Sequence, residues 1–322
     1  NSSLCSSHIS FTACLNFAIL LIYPTPAVSS KYNGPTSMPK DKYSALYISH
    51  SSLTDYLLCP RAYFLKNVYK DPHSNRKIQI ITPPLSLGSA VHEVLEALSN
   101  LPTKQRFNEA LVPKFETIWQ KYSGLPGGFT DKDTQHRYKE RGLTMIKNIQ
   151  DDPGPLVNLA VKINMDLPSY WLSEDDNIIL CGKIDWLEYL PDSDSVHIID
   201  FKTSQKEENK HSLQLPIYYL LTTKTQSRPV TKASYWYLEL PHQLVEKPLP
   251  DTTLAEEELL KLGKQISLAR KLNKLFCPKG GCRSCIPFEK VLAGEGKLVG
   301  NDARRDFYIL PDLNSPDEST LL

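Results

Sequence analysis

The sequence lacks an excess of either charge, because 37 lysine and arginine residues are balanced by 36 aspartate and glutamate residues. The resulting net charge of +1 excludes a protein-wide electrostatic field that would attract a polyanion. Any such attraction must be local, and residues 259–288 are one local source, since they contain no acidic residue. The basic residues of this segment are Lys261, Lys264, Arg270, Lys271, Lys274, Lys279 and Arg283. They indicate either a solvated helix face or a surface that lines phosphates.

The sequence also lacks internal repeats, a G-x-x-x-x-G-K-[ST] loop and a long apolar run. The missing loop excludes a helicase motor of the P-loop type within these residues. The apolar run at 11–23 is shorter than the ~20 residues that span a bilayer. It is similar to the apolar part of a signal peptide, but the basic residues that precede such a part are missing. We therefore expect residues 1–37 to be an extension outside the fold, with export as the less favoured interpretation.

Residues 178–203 contain two strand-like runs joined by the turn-forming residues 191–194. A hairpin centred on this turn places Asp185 directly opposite Asp200. Side chains opposed in this way have Cβ atoms ~4.5–5.5 Å apart. Two carboxylates at that distance share a proton or hold a cation between them.

Lysine completes this charged strand face. Lys202 lies two residues after Asp200 and points to the same side of its strand, and the same register places Lys183 opposite Lys202. Two acids and a lysine on one face are the groups of a metal-dependent phosphodiesterase, although solvated strand charges give the same pattern. A slip of the register by one residue would separate Asp185 from Asp200.

These residues resemble a known family. G-x-x-D at 182–185, followed by apolar-apolar-D-apolar-K at 198–202, resembles the core of the PD-(D/E)XK nuclease superfamily, specifically its RecB-like branch. Further segments occur in the order of that branch: Ser-Ser-Leu-Thr-Asp-Tyr at 51–56 with Cys-Pro-Arg-Ala-Tyr at 59–63, Gly-Ser-Ala-Val-His-Glu at 88–93, and Gln-Leu-Pro-Ile-Tyr at 214–218. Their common order across most of the chain makes the signal specific.

The resemblance implies a metal site with a lysine beside it. The implied ligands of Mg²⁺ or Mn²⁺ are Asp185, Asp200, His92 and the backbone carbonyl of Phe201. Lys202 would orient the attacking water or help to deprotonate it. An imidazole ligand would favour Mn²⁺ somewhat over Mg²⁺. A lone histidine is more often a surface or packed residue, and Glu93 is an alternative acid on the same helix, but the Gly-Ser-x-x-His phrase favours His92.

The resemblance also assigns residues around this centre. Gln214 and Tyr218 are four residues apart and therefore share a helix face. Gln214 would act near the metal and the scissile phosphate, whereas Tyr218 is either a DNA contact or a packed aromatic. In the same context Lys271 and Lys274 of the basic segment become candidate DNA contacts.

Four cysteines suggest a second metal site. Several RecB-like nucleases bind a [4Fe–4S] cluster through one early cysteine and a C-x2-C-x5-C motif. Cys59, Cys282 and Cys285 fit that pattern, but the last position is Val291, so Cys277 would have to be the fourth ligand. Four thiolates can hold iron–sulfur or zinc. The alternative is a set of reduced cytosolic thiols.

Hydrophobic periodicity predicts helices at about 51–69, 86–100, 104–122, 131–150, 212–223 and 252–275, and strands at 159–167, 178–190, 196–203 and 230–240. This order favours an α/β or α+β fold. By resemblance it is a restriction-endonuclease-like core, with a mixed central sheet flanked by helices and a helical N-terminal part. The nuclease domain is expected to span 38–290. Residues 71–84 are predicted to form a loop and the tail 291–322 to be partly disordered.

The resemblance thus implies a cytoplasmic, metal-dependent DNA nuclease, exonuclease or endonuclease, that acts in repair or recombination. One alternative is a CRISPR-adaptation-type exonuclease with an iron–sulfur cluster. The other is a catalytically inactive DNA-binding module of the same fold, which the presence of all expected catalytic side chains disfavours. A helicase or recombination subunit would be a separate chain, and no membrane partner is expected.

Overall fold

A computed structural model describes residues 41–239 and 243–310. Its helices are α1 (His50–Leu58), α2 (Pro60–Tyr63), α3 (Pro83–Leu98), α4 (Leu111–Trp119), α5 (Lys132–Asp151), α6 (Gln214–Thr225), α7 (Thr252–Lys271) and α8 (Ile286–Leu292). Its strands are β1 (Leu46–Ile48), β2 (Lys77–Ile80), β3 (Ser169–Ser173), β4 (Ile178–Cys181), β5 (Trp186–Leu190), β6 (Ser195–Lys202), β7 (Val230–Tyr237), β8 (Gln243–Lys247), β9 (Lys297–Asn301) and β10 (Arg305–Ile309). The expectation for residues 1–37 lies outside the described residues.

The central sheet has the strand order β5-β6-β7-β8 and mixes strand directions. β6 pairs antiparallel with β5 and parallel with β7, and α6 forms the crossover that a parallel pair requires. The hairpin has the predicted register where it is paired, from Trp186 opposite Ile199 to the turn. The mixed sheet flanked by helices is therefore confirmed.

Both faces of β6 are buried, which explains its nearly continuous apolar run. Ile198 packs in a core with α6 and α7, where Leu221 and Leu259 lie. Phe201 points the opposite way, into a second core that α3, α4 and α5 cover with residues such as Val91. Asp200, between these two apolar positions, points toward α6 and is itself buried. The sheet thus carries a carboxylate into a place that apolar side chains shield from water.

The predicted strand 178–190 is interrupted. Its first part, β4, belongs to a second sheet of order β1-β4-β3, and β5 begins only at Trp186. Residues 182–185 therefore connect two sheets. Gly182 permits a close approach to α6 here, because a Cβ atom at this position would lie 2.9 Å from Leu221 Cδ1.

Other boundaries differ for physical reasons that are visible in the structure. The predicted helix 51–69 is divided in two. α1 starts at His50 and stops at Leu58, since Pro60 has no amide hydrogen to continue it, and helical structure resumes at Pro60 and extends to Val68. The predicted helix 104–122 is α-helical only over α4. The predicted strand 159–167 is not a strand. The segment instead lies along β5 and is joined to it by backbone hydrogen bonds, such as the one that Val161 N donates to Leu187 O at 2.8 Å.

A third sheet, of order β2-β10-β9, joins the two ends of the fold. β2 lies in the segment 71–84, so the prediction of a loop was wrong for residues 77–80. β9 and β10 lie in the tail for which partial disorder was predicted, and the rest of that tail, 311–322, lies outside the described residues. A third apolar core holds Cys59, Leu65, Cys285 and Phe288 together. Among the described residues, no helix is long and apolar enough to cross a bilayer.

Candidate active site

The end of β6 supplies the centre of the site. Asp200 Oδ1 accepts a hydrogen bond of 2.8 Å from Gln214 Nε2, at the start of α6. Asp200 Oδ2 lies 3.0 Å from Lys202 Nζ, yet it has no well-directed hydrogen bond within the described part of the chain. A buried carboxylate oxygen in this condition has lone-pair capacity left for a cation.

Asp185 reaches the same place from the connection between the two sheets. Its Oδ2 accepts a hydrogen bond of 2.9 Å from the Phe201 amide, and its Oδ1 lies 3.4 Å from His92 Nδ1. The sequence prediction that Asp185 and Asp200 converge is therefore consistent with the geometry, but the reason is different. Asp185 is not paired on a strand with Asp200, because it precedes β5, and its side chain folds over the end of β6 instead.

Lys183 does not lie opposite Lys202. Because residues 182–185 are outside the hairpin, the Lys183 side chain extends to α3 and pairs with Glu96. Lys202 is held separately by Asp200 and by Glu208, whose Oε2 is 2.9 Å from its Nζ. No sequence pattern indicated Glu208, which comes from an irregular segment before α6.

Asp185, Asp200 and His92 shift each other's pKa values. Burial raises the pKa of Asp200, the nearby Asp185 carboxylate raises it further, and the result is about 8. Burial alone would lower the pKa of His92, but Asp185 outweighs it and raises the pKa to about 9. The pKa of Asp185 is lowered despite its burial, chiefly by His92. Without a bound cation, the site therefore carries its positive charge on His92 and Lys202.

Lys202 is a protonated group in this arrangement. Burial would lower its pKa, but Asp200 and then Glu208 outweigh burial and raise it. Its ammonium also lies 4.9 Å from the centre of the Tyr235 ring, a favourable cation–π position. These contacts fix the ammonium group beside Asp200.

Gln214 connects the acid to the lysine. Its Nε2 donates to Asp200, and its Oε1 accepts a hydrogen bond from Lys202 Nζ. The same Nε2 lies 3.2 Å from the hydroxyl of Tyr218. Tyr218 is buried, and burial raises its pKa. This burial agrees with the packed-aromatic interpretation of Tyr218, and its contact with DNA stays a prediction.

Three side chains lie close enough together to hold a divalent cation, and a fourth adjoins them. Ligand atoms of His92, Glu96 and Asp185 lie within 4.8 Å of one another, and Asp200 borders this group through Asp185. Carboxylate oxygens suit Mg²⁺ and Mn²⁺, and one imidazole nitrogen is compatible with Mn²⁺. The resemblance did not include Glu96, although its spacing of four residues from His92 puts both on one face of α3. Ligation by the Phe201 carbonyl stays a prediction.

The four cysteines of the second predicted site also meet. The Sγ atoms of Cys59, Cys277, Cys282 and Cys285 lie within 4.8 Å of one another. Hydrogen bonds, chiefly from the Ser284 and Cys285 amides, lower the pKa of Cys282 to about 6, whereas burial raises the pKa of Cys285 to about 12. The lowered pKa favours the thiolate form of Cys282. The arrangement of the four sulfur atoms fits a four-thiolate metal site.

The remaining candidates are two lysines of the basic segment. Lys271 ends α7 and Lys274 follows it, and both are exposed. Their proposed contact with DNA stays a prediction.

Comparison with known protein families matches residues 47–287 to the PD-(D/E)XK nuclease superfamily. The match runs from β1 into α8 and includes every residue of the acidic site. The chain therefore belongs to the PD-(D/E)XK nuclease superfamily, and its central sheet with flanking helices is the PD-(D/E)XK fold. Nucleases of this superfamily generally use divalent metal ions.

The raised pKa of Asp200 predicts how the stability of the protein depends on pH. The pKa of Asp200 is raised from 3.8 to about 8 in the folded protein, so the free energy of unfolding falls as pH rises between these values and levels off above them. The side-chain amide of an Asp200→Asn variant cannot ionise. We therefore expect D200N to have the higher melting temperature without divalent cations, by a margin that grows up to about pH 8. Thermal unfolding from about pH 5 to about pH 9 measures this, with Asp192→Asn in the exposed hairpin turn as control. A margin independent of pH would contradict the prediction.

Proposed function

We propose that this protein is a metal-dependent DNA nuclease of the RecB-like type, acting in DNA repair or recombination. The observation that supports this most is the convergence of Asp185, Asp200 and Lys202 in a chain of the PD-(D/E)XK nuclease superfamily. His92 beside Asp185 favours the RecB-like branch, because a histidine on this helix is a feature of that branch. The cysteine quartet is the feature shared with the CRISPR-adaptation type.

Each of these residues would have its own role in phosphodiester hydrolysis. When bound at His92, Asp185 and Asp200, a divalent cation would supply Lewis-acid activation of water and neutralise charge that develops on the phosphate. Lys202 keeps its proton here, so it orients the water and stabilises negative charge rather than serving as the base. Gln214 holds Lys202 and Asp200 at a fixed separation.

The direct test is cleavage of end-labelled DNA. Single-stranded and double-stranded substrates are incubated with Mn²⁺, with Mg²⁺ and with EDTA. Products are expected only with a divalent cation, and the label position distinguishes terminal from internal cuts. DNA binding without cleavage under all these conditions would instead favour the inactive DNA-binding module.

Lys202→Ala is expected to slow turnover by about 100- to 1,000-fold, as the loss of one electrostatic group does. Its effect on DNA affinity is expected to be small, because only 14% of the Lys202 side chain is exposed and its ammonium lies against Asp200. Single-turnover cleavage and equilibrium binding separate the two quantities.

Lys183→Ala provides the matched comparison. It removes an exposed lysine that touches Glu96 but not Asp200, so binding should weaken more than turnover. If Lys183→Ala were inactive and Lys202→Ala active, the assignment of the catalytic lysine would be wrong.

We also propose that the cysteine quartet holds a [4Fe–4S] cluster or zinc. The sulfur positions support four-thiolate binding, and the identity of the metal is open to direct measurement.

A further inference from the structure

The four sulfur atoms of the cysteine quartet, Cys59, Cys277, Cys282 and Cys285, lie closer together than a four-iron cluster allows. All four are within 4.8 Å of one another, and those of Cys282 and Cys285 are 3.6 Å apart. A cubane holds its thiolates outside four separate irons, which places their sulfur atoms about 6 Å apart. A single tetrahedral ion with metal–sulfur bonds of about 2.3 Å places them about 3.8 Å apart. The observed spacing therefore fits one ion and does not fit a [4Fe–4S] cluster.

Backbone amides hold two of these sulfur atoms in the same way. Cys282 Sγ accepts hydrogen bonds from the amides two and three residues further along the chain, and so does Cys59 Sγ. The Cys282 amide in turn donates to Cys285 Sγ at 3.3 Å. Hydrogen bonds of this kind orient metal ligands and fix them in place. The sulfur atoms are thus held at their short spacing by the backbone itself.

Cys277 reaches the later cysteines through a tight loop of four residues that ends in Gly280 and Gly281. Gly280 has a φ of 68°, which residues with a Cβ atom rarely adopt, and its amide donates to Cys277 O at 3.1 Å. The loop gives C-x4-C, and C-x2-C follows it directly. Spacings of roughly two to four residues between ligands are usual in structural zinc sites. The local sequence around the quartet therefore also fits zinc.

The position that the C-x2-C-x5-C motif would use for its last cysteine is apolar in this chain. That position is Val291, which lies on α8 and is buried. Its side chain belongs to the third core, together with Leu65 and Phe288. The fourth sulfur therefore comes from the loop before Cys282 and not from the helix after Cys285. The quartet departs from the four-iron motif in the order of its ligands as well as in its size.

We propose that the cysteine quartet binds one zinc ion in tetrahedral coordination. This inference rests on the proposed four-thiolate site and assigns its metal. Zinc accepts four thiolates and has no redox chemistry of its own. With four protein ligands the ion has no open position for a substrate, so the site is structural. It joins the early Cys59 to the late cysteines independently of the acidic site.

Metal content and coordination test this assignment directly. The full chain is produced with both zinc and iron in excess, purified with and without air, and analysed for zinc, iron and acid-labile sulfide. We expect one zinc ion per chain and neither iron nor sulfide in both preparations. X-ray absorption at the zinc edge should show four sulfur neighbours at about 2.3 Å.

Cys277→Ser tests the ligand that the four-iron motif lacks. Competition with a chromogenic chelator should show zinc affinity at least about 100-fold weaker, because even the partners of metal ligands contribute about 10- to 100-fold. Cys181→Ala is the control, since Cys181 is buried in β4 outside the quartet and should leave zinc affinity unchanged.

Each other result would overturn a different part of the assignment. Iron with sulfide in the anaerobic preparation would overturn zinc and leave the proposed four-thiolate site standing. A wild-type protein without any metal would overturn both. Zinc with only nitrogen and oxygen neighbours, or zinc affinity unchanged in Cys277→Ser, would show that the quartet is not its ligand set. These measurements use no DNA, so the proposed nuclease activity stands or fails separately, by the cleavage assay.

Discussion

Replacing Asp185 or Asp200 with alanine is expected to reduce metal-dependent DNA cleavage by at least about 1,000-fold. Each carboxylate is buried beside the other, and a bound cation contributes several kcal/mol to the transition state. Since about 1.4 kcal/mol corresponds to a factor of ten in rate, losing a ligand removes about three such factors. Single-turnover cleavage of end-labelled DNA in Mn²⁺ measures the change.

Two controls make this result specific. Asp192→Ala alters the exposed turn of the same hairpin and should retain full activity. Circular dichroism and thermal unfolding should show that both inactive variants are folded. Full activity of Asp200→Ala, or of the wild-type protein in EDTA, would refute the metal-site assignment.

Replacing Cys282 with serine is expected to release the metal of the cysteine quartet and to lower the melting temperature by more than about 10 °C. Because a metal bound there would join segments more than two hundred residues apart, its binding free energy would contribute to folding. A loss of about 5 kcal/mol in a domain of this size corresponds to such a shift. Metal analysis of anaerobically purified protein and its absorption spectrum distinguish an iron–sulfur cluster, which is brown, from zinc, which is colourless.

Cys181→Ala is the matched control for this variant. Cys181 is also buried, but it lies in β4 outside the quartet, so the variant should keep its metal in full. If the wild-type protein contained no metal and Cys282→Ser left the melting temperature unchanged, the proposal that the cysteine quartet binds a metal would be wrong.

Sequence patterns predicted the local parts of this structure well. The register of the β5–β6 hairpin follows from its turn residues and its apolar alternation, which are properties of neighbouring positions. Helices α3 and α5 follow in the same way from their periodicity, whereas α6 was expected chiefly from the resemblance of residues 214–218. The convergence of Asp185 and Asp200 was predicted for a partly wrong reason, since the first part of the expected strand belongs to another sheet.

The parts that were missed depend on contacts between distant positions. β2 and β10 pair across more than two hundred residues, and neither segment is apolar enough to predict a strand by itself. Glu208 approaches Lys202 only because of the path of an irregular segment, for which periodicity carries no information. Glu96 was detectable in principle from its helical spacing to His92, but that spacing alone does not identify a ligand.

The third core has a consequence for when the parts of this fold can form during synthesis. Cys59 and Arg61 are synthesised early, whereas Cys282 and Glu289, to which the Arg61 guanidinium donates at 3.1 Å, are synthesised late. Domains fold as the chain emerges, but contacts between distant segments must await the second partner. A product that stops before residue 277 would therefore contain every acidic and lysine side chain of the active site and still lack the closure of its two ends.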